Sequence, residues 1–310
     1  MDSIRVFAPA TVANVVCGYD VLGFALDNPG DEVTMRITNN PGIRITKITG
    51  DNGKLSMDPA RNTVGVSVQH FLQAIEKTHL GIEIELHKQM PIGSGLGSSS
   101  ASTVAGLFAI NQLLNSNLTL KELLPFAMKG EEIACGTGHA DNVAPALYGG
   151  FVLIRSYDPL DVISLPFPPE LHCAVVFPEV DVPTRDARQL IRSKVLLKDA
   201  VTQWGNIAGL VSGLFLNDTD LIGRSMKDII IEPARAMLIP DFYKLREVAM
   251  QNGAIGFGIS GSGPSVFSFT HNKPQAVQIS KALQNHLSSI NVFSKSYTSS
   301  INESGPKILD

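Results

Sequence analysis

The 310-residue sequence predicts an α+β fold, and three observations carry that expectation. Period-two and period-3.6 apolar patterns alternate along the chain. A glycine- and serine-rich loop joins one segment of each kind. A concentration of prolines then splits the chain into two parts of similar size.

The clearest strand is Ile82, Ile84 and Leu86 alternating with Glu83, Glu85 and His87, the period of a half-buried strand. After the loop, Ala101, Val104, Ala105, Phe108, Ile110, Leu113 and Leu114 recur at three- and four-residue steps, the stripe of an amphipathic helix. By the same criteria strands are expected at 33–37, 151–154, 172–177 and 265–269. Helices are expected at 64–76, 120–133, 186–196, 242–251 and 274–287. Pro159, Pro166, Pro168, Pro169, Pro178 and Pro183 accumulate between the two halves. Proline removes ladder donors and bars the preceding residue from helix, so a domain junction is expected there. The division this suggests is 1–165 and 166–310.

Composition narrows the function. Apolar residues make up 44% and charged residues 17% of the chain, the balance of a soluble globular protein. Twenty-five basic and 29 acidic side chains give a net charge of −4, with no Lys/Arg cluster to track a phosphate backbone. Nucleic acid is therefore not an expected partner. Cys17, Cys135 and Cys173 are odd in number and far apart, which suits neither a disulfide framework nor a zinc site and points to a reducing cytoplasm. The N-terminus lacks a basic region followed by an apolar core, and no run of ~18 apolar residues occurs, so no membrane span is expected. The Asn-x-Ser/Thr matches at Asn117, Asn217 and Asn302 are read as accidental.

The loop itself is Pro91-Ile92-Gly93-Ser94-Gly95-Leu96-Gly97-Ser98-Ser99-Ser100. Three glycines in five residues let the backbone take positive φ and approach a ligand closely, and Ser98 to Ser100 can cap the helix that follows. Amides and helix dipole then converge on one point, which suits a polyphosphate. No Gly-Lys-Ser/Thr is present, and the third glycine comes one residue early for a dinucleotide fingerprint, so neither common nucleotide loop fits.

From Pro91 to Ala101 the sequence resembles the phosphate loop of the GHMP kinases, named for galactokinase, homoserine kinase, mevalonate kinase and phosphomevalonate kinase. That loop has the form Pro-x-x-x-Gly-Leu-Gly-Ser-Ser-small. Three further regions resemble family motifs in the family's order. They are Ala8-Pro9-Ala10-Thr11-Val12-Ala13-Asn14 through Asp20 and Gly23, Glu131 through His139-Ala140-Asp141-Asn142-Val143-Ala144-Pro145, and Gly253 through Gly261-Ser262-Gly263-Pro264-Ser265. Pro183-Thr184-Arg185-Asp186-Ala187-Arg188 and Glu232-Pro233-Ala234-Arg235 resemble shorter family segments.

The resemblance implies a small-molecule kinase with two α+β lobes. The first, 1–165, is expected to bind ATP with a topology like the second domain of ribosomal protein S5; the second, 166–310, is expected to be ferredoxin-like. It implies that Pro91, Ile92, Gly93, Ser94, Gly95, Leu96, Gly97, Ser98, Ser99, Ser100 and Ala101 cradle the phosphates of ATP, with Asn62 by the adenine. Mg2+ is assigned to Glu131 and Ser99, with Ser98 the alternative hydroxyl, and Glu132 is read as a solvated helix residue. Asn142 is expected to orient the attacking hydroxyl, while Asp141 is a candidate base that the family does not use throughout. The motif forms are closest to those of members acting on L-homoserine on the route to threonine. Asp20 would then meet the substrate ammonium and Arg188 and Arg235 its carboxylate, with Asn14, Thr184, His139 and Gly261 completing the pocket. Arginine grips a carboxylate through two parallel hydrogen bonds, as lysine does not. A homodimer is common among such proteins. The alternatives are a mevalonate-type or sugar kinase, and a catalytically dead relative that senses its ligand.

Overall fold

The structure, a computed structural model, describes residues 3–136, 138–180 and 190–309. Its larger sheet follows from long apolar alternations. Strand β1 (Ser3–Ala13) runs antiparallel to β2 (Leu22–Thr38), which also pairs with β4 (Gly81–His87). Strand β3 (Gly42–Thr49) lies parallel to β4. Strand β2 also carries β5 (Phe151–Tyr157), and β5 carries β6 (Leu160–Leu165). The chain's last strand, β11 (Lys307–Ile308), returns to the free side of β1. Strand β2 is far longer than the 33–37 expected because the chain stays extended through Asn28-Pro29-Gly30, which reads as a turn in sequence.

Helices cover this sheet. Helix α1 (Thr63–Ala74) starts at Asn62, whose side chain accepts from the Val64 amide, and turns Val64, Val68, Phe71 and Leu72 inward. Helix α2 (Ser98–Leu113) packs on β1 and β2, as does α4 (Ala140–Tyr148). Helix α3 (Leu120–Cys135) begins with a Thr119/Glu122 capping box, each side chain satisfying the other's backbone amide.

The second sheet is four-stranded and antiparallel, in the order β10 (Ser294–Ser300), β7 (His172–Pro178), β9 (Val266–Thr270), β8 (Gly256–Ile259). Helix α5 (Leu197–Leu216) follows β7, and α6 (Thr219–Ser225), α7 (Glu232–Arg235) and α8 (Phe242–Gln251) lead to β8. Helix α9 (Lys273–Ser289) joins β9 to β10. Reduced to α8 and α9, the helices that pack on this sheet, the order is β-α-β-β-α-β, the ferredoxin-like arrangement expected. One face buries Ala174, Val176, Phe257 and Val266 against Phe242, Leu245, Ile279 and Leu283. The other joins the main core, where Phe267 and Phe269 meet Phe24 and Phe151 of the first sheet at ring distances of 5.1 to 5.8 Å.

One helix expectation fails. Residues 190–196 are turn and coil, the stretch 186–189 lies outside the described residues, and the helix occupies Leu197–Leu216 instead. Among the described residues of the stripe that suggested a helix, Leu190, Val195 and Leu196 are exposed.

Candidate active site

A cavity of about 390 Å³ opens over the start of α2. The phosphate loop forms its floor. Gly93, Gly95 and Gly97 all take positive φ, as the sequence requires. The capping expectation is corrected: Gly97, left-handed at φ 65°, is the residue before the helix and no side chain caps it. Ser98, Ser99 and Ser100 occupy the first turn instead, so the first amides of α2 are left for a ligand. A methyl group on Gly97 would meet Thr11 Oγ1 at 2.0 Å and Asn142 Oδ1 at 3.0 Å, which is why glycine stands there.

The loop is braced from the four-stranded sheet. Between β8 and β9 the chain makes the turn Ser260 to Ser265, so the last glycine-rich motif is a hairpin that packs on the loop. Ser260 Oγ donates to Gly95 O at 2.7 Å, and the Ser265 amide donates to Ser94 O. The Gly261 amide donates to Ala13 O at 3.2 Å.

Many of the predicted site residues meet in this cavity, but Pro91, Leu96, Ser100 and Ala101 do not line it, the last three being fully buried in the packing of the loop and α2. The cavity wall contains Asn14, Asp20, Asn62, Glu131, His139, Asp141, Asn142, Arg235 and Gly261 together with Ser98 and Ser99. Asn142, in the first turn of α4, accepts a hydrogen bond from Thr11 Oγ1 at 2.8 Å, which fixes its amide. Asp141 and Glu131 are each 4% exposed. Ser98 Oγ donates to the buried Asp31 at 2.8 Å. Asn62 is held at both ends of its amide, by Ser56 O and by the Val64 amide, so it shapes the wall near Leu55, Leu86 and Ile92.

Asn14 differs from its expected role. Its Nδ2 donates to Gly261 O at 2.9 Å and its Oδ1 accepts from the Asp20 amide at 2.9 Å, so it ties the Asp20 turn to the Gly261 turn. The turn is strained. Asn14, Val15 and Val16 all have positive φ, which a β-branched residue adopts only where its surroundings over-determine it. Arg235, 6% exposed, donates through Nη1 to the same Gly261 oxygen at 2.9 Å and lies 5.1 Å over the Tyr19 ring. His139 Nδ1 stands 3.7 Å from Asp20 Oδ2. Thr184 and Arg188, with Arg185, fall outside the described residues.

Sequence reading missed several members. Tyr157 bridges two motifs, donating to Asp20 O at 2.8 Å and accepting from the Ala140 amide at 3.3 Å. Thr11, Tyr19, Asp31 and Lys88 were also passed over. Lys88 alone left a signal, a charged residue between Leu86 and Met90 where the strand enters the loop.

An uncapped helix start, a guanidinium and three carboxylates around one cavity are the equipment of a phosphotransferase acting on a small alcohol. The chain belongs to the GHMP kinase family: the model of the GHMP kinases N terminal domain matches residues 62–150 and that of the GHMP kinases C terminal region matches 210–289. Among its relatives, a protein named homoserine kinase from Chloroherpeton thalassium is 48% identical over the full length of both chains. The crystal structure of homoserine kinase from Cytophaga hutchinsonii superposes with a TM-score of 0.97 at 56% identity, covering 100% of this chain and 98% of that one. The fold alone extends further, to L. major mevalonate kinase with a TM-score of 0.72 at 17% identity, covering 95% of each chain.

Proposed function

We propose that this protein is a homoserine kinase, transferring the γ-phosphoryl group of ATP to the side-chain hydroxyl of L-homoserine to give O-phospho-L-homoserine, a step of amino-acid biosynthesis. The observation that carries the reading is the placing of Asp20 and Arg235 on the wall of the cavity whose floor is the phosphate loop. A zwitterionic amino acid needs an anion for its ammonium and a planar cation for its carboxylate. A sugar or mevalonate needs no such pair. Arg188 and Thr184 are proposed to join Arg235 at the carboxylate, with His139 and Gly261 flanking the ammonium.

Phosphoryl transfer is chiefly positioning and charge stabilisation, so no nucleophilic residue is required. The amides at the start of α2 receive the phosphates. Asn142, with its amide fixed by Thr11, orients the substrate hydroxyl, and the proton leaves toward Asp141 or solvent once the bond to phosphorus has formed. Hard oxygen donors suit Mg2+, which keeps most of its shell as water and phosphate and needs few protein ligands. Glu131 and Ser99 line the cavity and fit that donor set; Ser98, already donating to Asp31, is the less available hydroxyl. Bound there, Mg2+ would neutralise phosphate charge. We also propose 1–165 and 166–310 as the lobes, a homodimer, and a cytoplasmic setting; among the described residues no helix is long and apolar enough to cross a membrane.

Steady-state kinetics of Arg235→Ala test the substrate assignment. Losing a buried charged hydrogen-bond partner costs roughly 2–5 kcal/mol, so kcat/KM for homoserine should fall about thirtyfold or more while KM for ATP stays within a few-fold. Equal weakening of both substrates, or none, contradicts it.

A further inference from the structure

One buried ion pair beneath the phosphate loop has no part in the chemistry above. The side chains of Asp31, on β2, and Lys88, just after β4, are 0% and 3% exposed. Lys88 Nζ donates to Asp31 Oδ2, to Ser98 O at 2.7 Å and to Ser102 Oγ at 2.6 Å. Asp31 Oδ2 also accepts from Ser98 Oγ at 2.8 Å, and its Oδ1 accepts the amides of Gln89 at 2.8 Å and Met90 at 3.2 Å. All three ammonium protons are used, and both carboxylate oxygens are doubly engaged.

The partners lie on the two stems of the loop. Residues 88–90 lead into it, while Ser98 and Ser102 lead out along α2. One pair therefore fixes the separation and rotation of both stems, and Lys88 reaches the cavity wall itself. As a stabiliser such a pair is weak, because removing two charges from water offsets most of their attraction and apolar replacements often match it. As a positioning device it is strong, because a saturated network admits one geometry. Amide donors act on a phosphate only if they are aimed before it arrives.

We propose that the Asp31–Lys88 pair is a positioning element for the nucleotide: it sets the aperture of the loop 91–97 so that its amides converge on the polyphosphate. The proposal rests on the ATP-binding part of the reading above and not on the identity of the alcohol. Its test is a titration with the fluorescent analogue trinitrophenyl-ATP, which needs no acceptor and remains readable even if homoserine is not the substrate. The double variant Asp31→Asn/Lys88→Met removes both charges while keeping the volume and an acceptor for the two amides. It should unfold cooperatively near the wild-type temperature and keep its KM for homoserine within about twofold, while the dissociation constant for the analogue rises about tenfold or more. An unchanged dissociation constant overturns the proposal, as does a matching loss for homoserine. If the double variant does not fold, Ser102→Ala takes one acceptor from Lys88 and decides the question. Nucleotide binding weakened about threefold at unchanged melting temperature supports the proposal, and unchanged binding overturns it.

Discussion

Single residues at the candidate site fall into those that line the cavity and those that hold them in place. Arg235 and Asp20 were legible in the sequence because a charged residue in a motif carries its chemistry openly. Asn14 was legible by position but not by role, since nothing in the sequence tells whether an amide faces a ligand or two backbone groups. Tyr157 lies outside every motif and left no signal. Cys17 shows how burial silences a reactive type: its thiol is pushed up from the ordinary range to about 12, chiefly by loss of solvent. A raised folded-state pKa favours the native state fully below the ordinary thiol range, and that contribution is lost as pH rises toward about 12. In a Cys135→Ser background, native protein at pH 8 should therefore resist a thiol-reactive dye that labels it readily in urea. Urea unfolding followed from pH 7 to 10 should show stability falling with pH, less steeply for Cys17→Ala. Rapid native labelling would contradict this.

At the scale of elements, the strand-loop-helix unit 82–114 was read correctly in type because its periods are long and clean. The start of α2 was misread. Three serines after a glycine look like caps, yet Gly97 takes a left-handed conformation and the serines enter the helix, leaving its start without a side-chain cap. The same contact makes a prediction. Gly97→Ala places a methyl group against Thr11 and Asn142 at a backbone angle that L-residues avoid. It should displace the oriented amide and lower kcat by about a hundredfold, since an angstrom of misplacement is felt that strongly, while circular dichroism stays native. Activity within a few-fold of wild type would mean that the Thr11–Asn142 bond does not matter to the chemistry. The missed helix at 197–216 has an equally physical reason: periodicity at 186–196 announced an apolar stripe but could not say whether a partner surface existed.

Over the whole molecule, the accumulation of prolines was visible in composition, but the way the two sheets meet was not. Phe24 and Phe151 pack edge-on or tilted against Phe267 and Phe269 from more than a hundred positions away, and β11 closes on β1. Asn302 braces the same return: its amide donates to Ala25 O, and its carbonyl accepts from the Gly150 amide at 2.6 Å. Long-range packing of this kind has no local signature. It nevertheless shapes the candidate site, because Arg235 and the Gly261 turn come from the later part of the chain to a cavity floored by the loop 91–97. The most direct measurement is ADP release by the purified protein with ATP and Mg2+, run with L-homoserine, mevalonate and galactose as separate acceptors. ADP formed with L-homoserine alone, matched one for one by a phosphomonoester in the 31P spectrum, is the predicted result. Turnover of mevalonate or galactose without homoserine, or of none of the three, would contradict it.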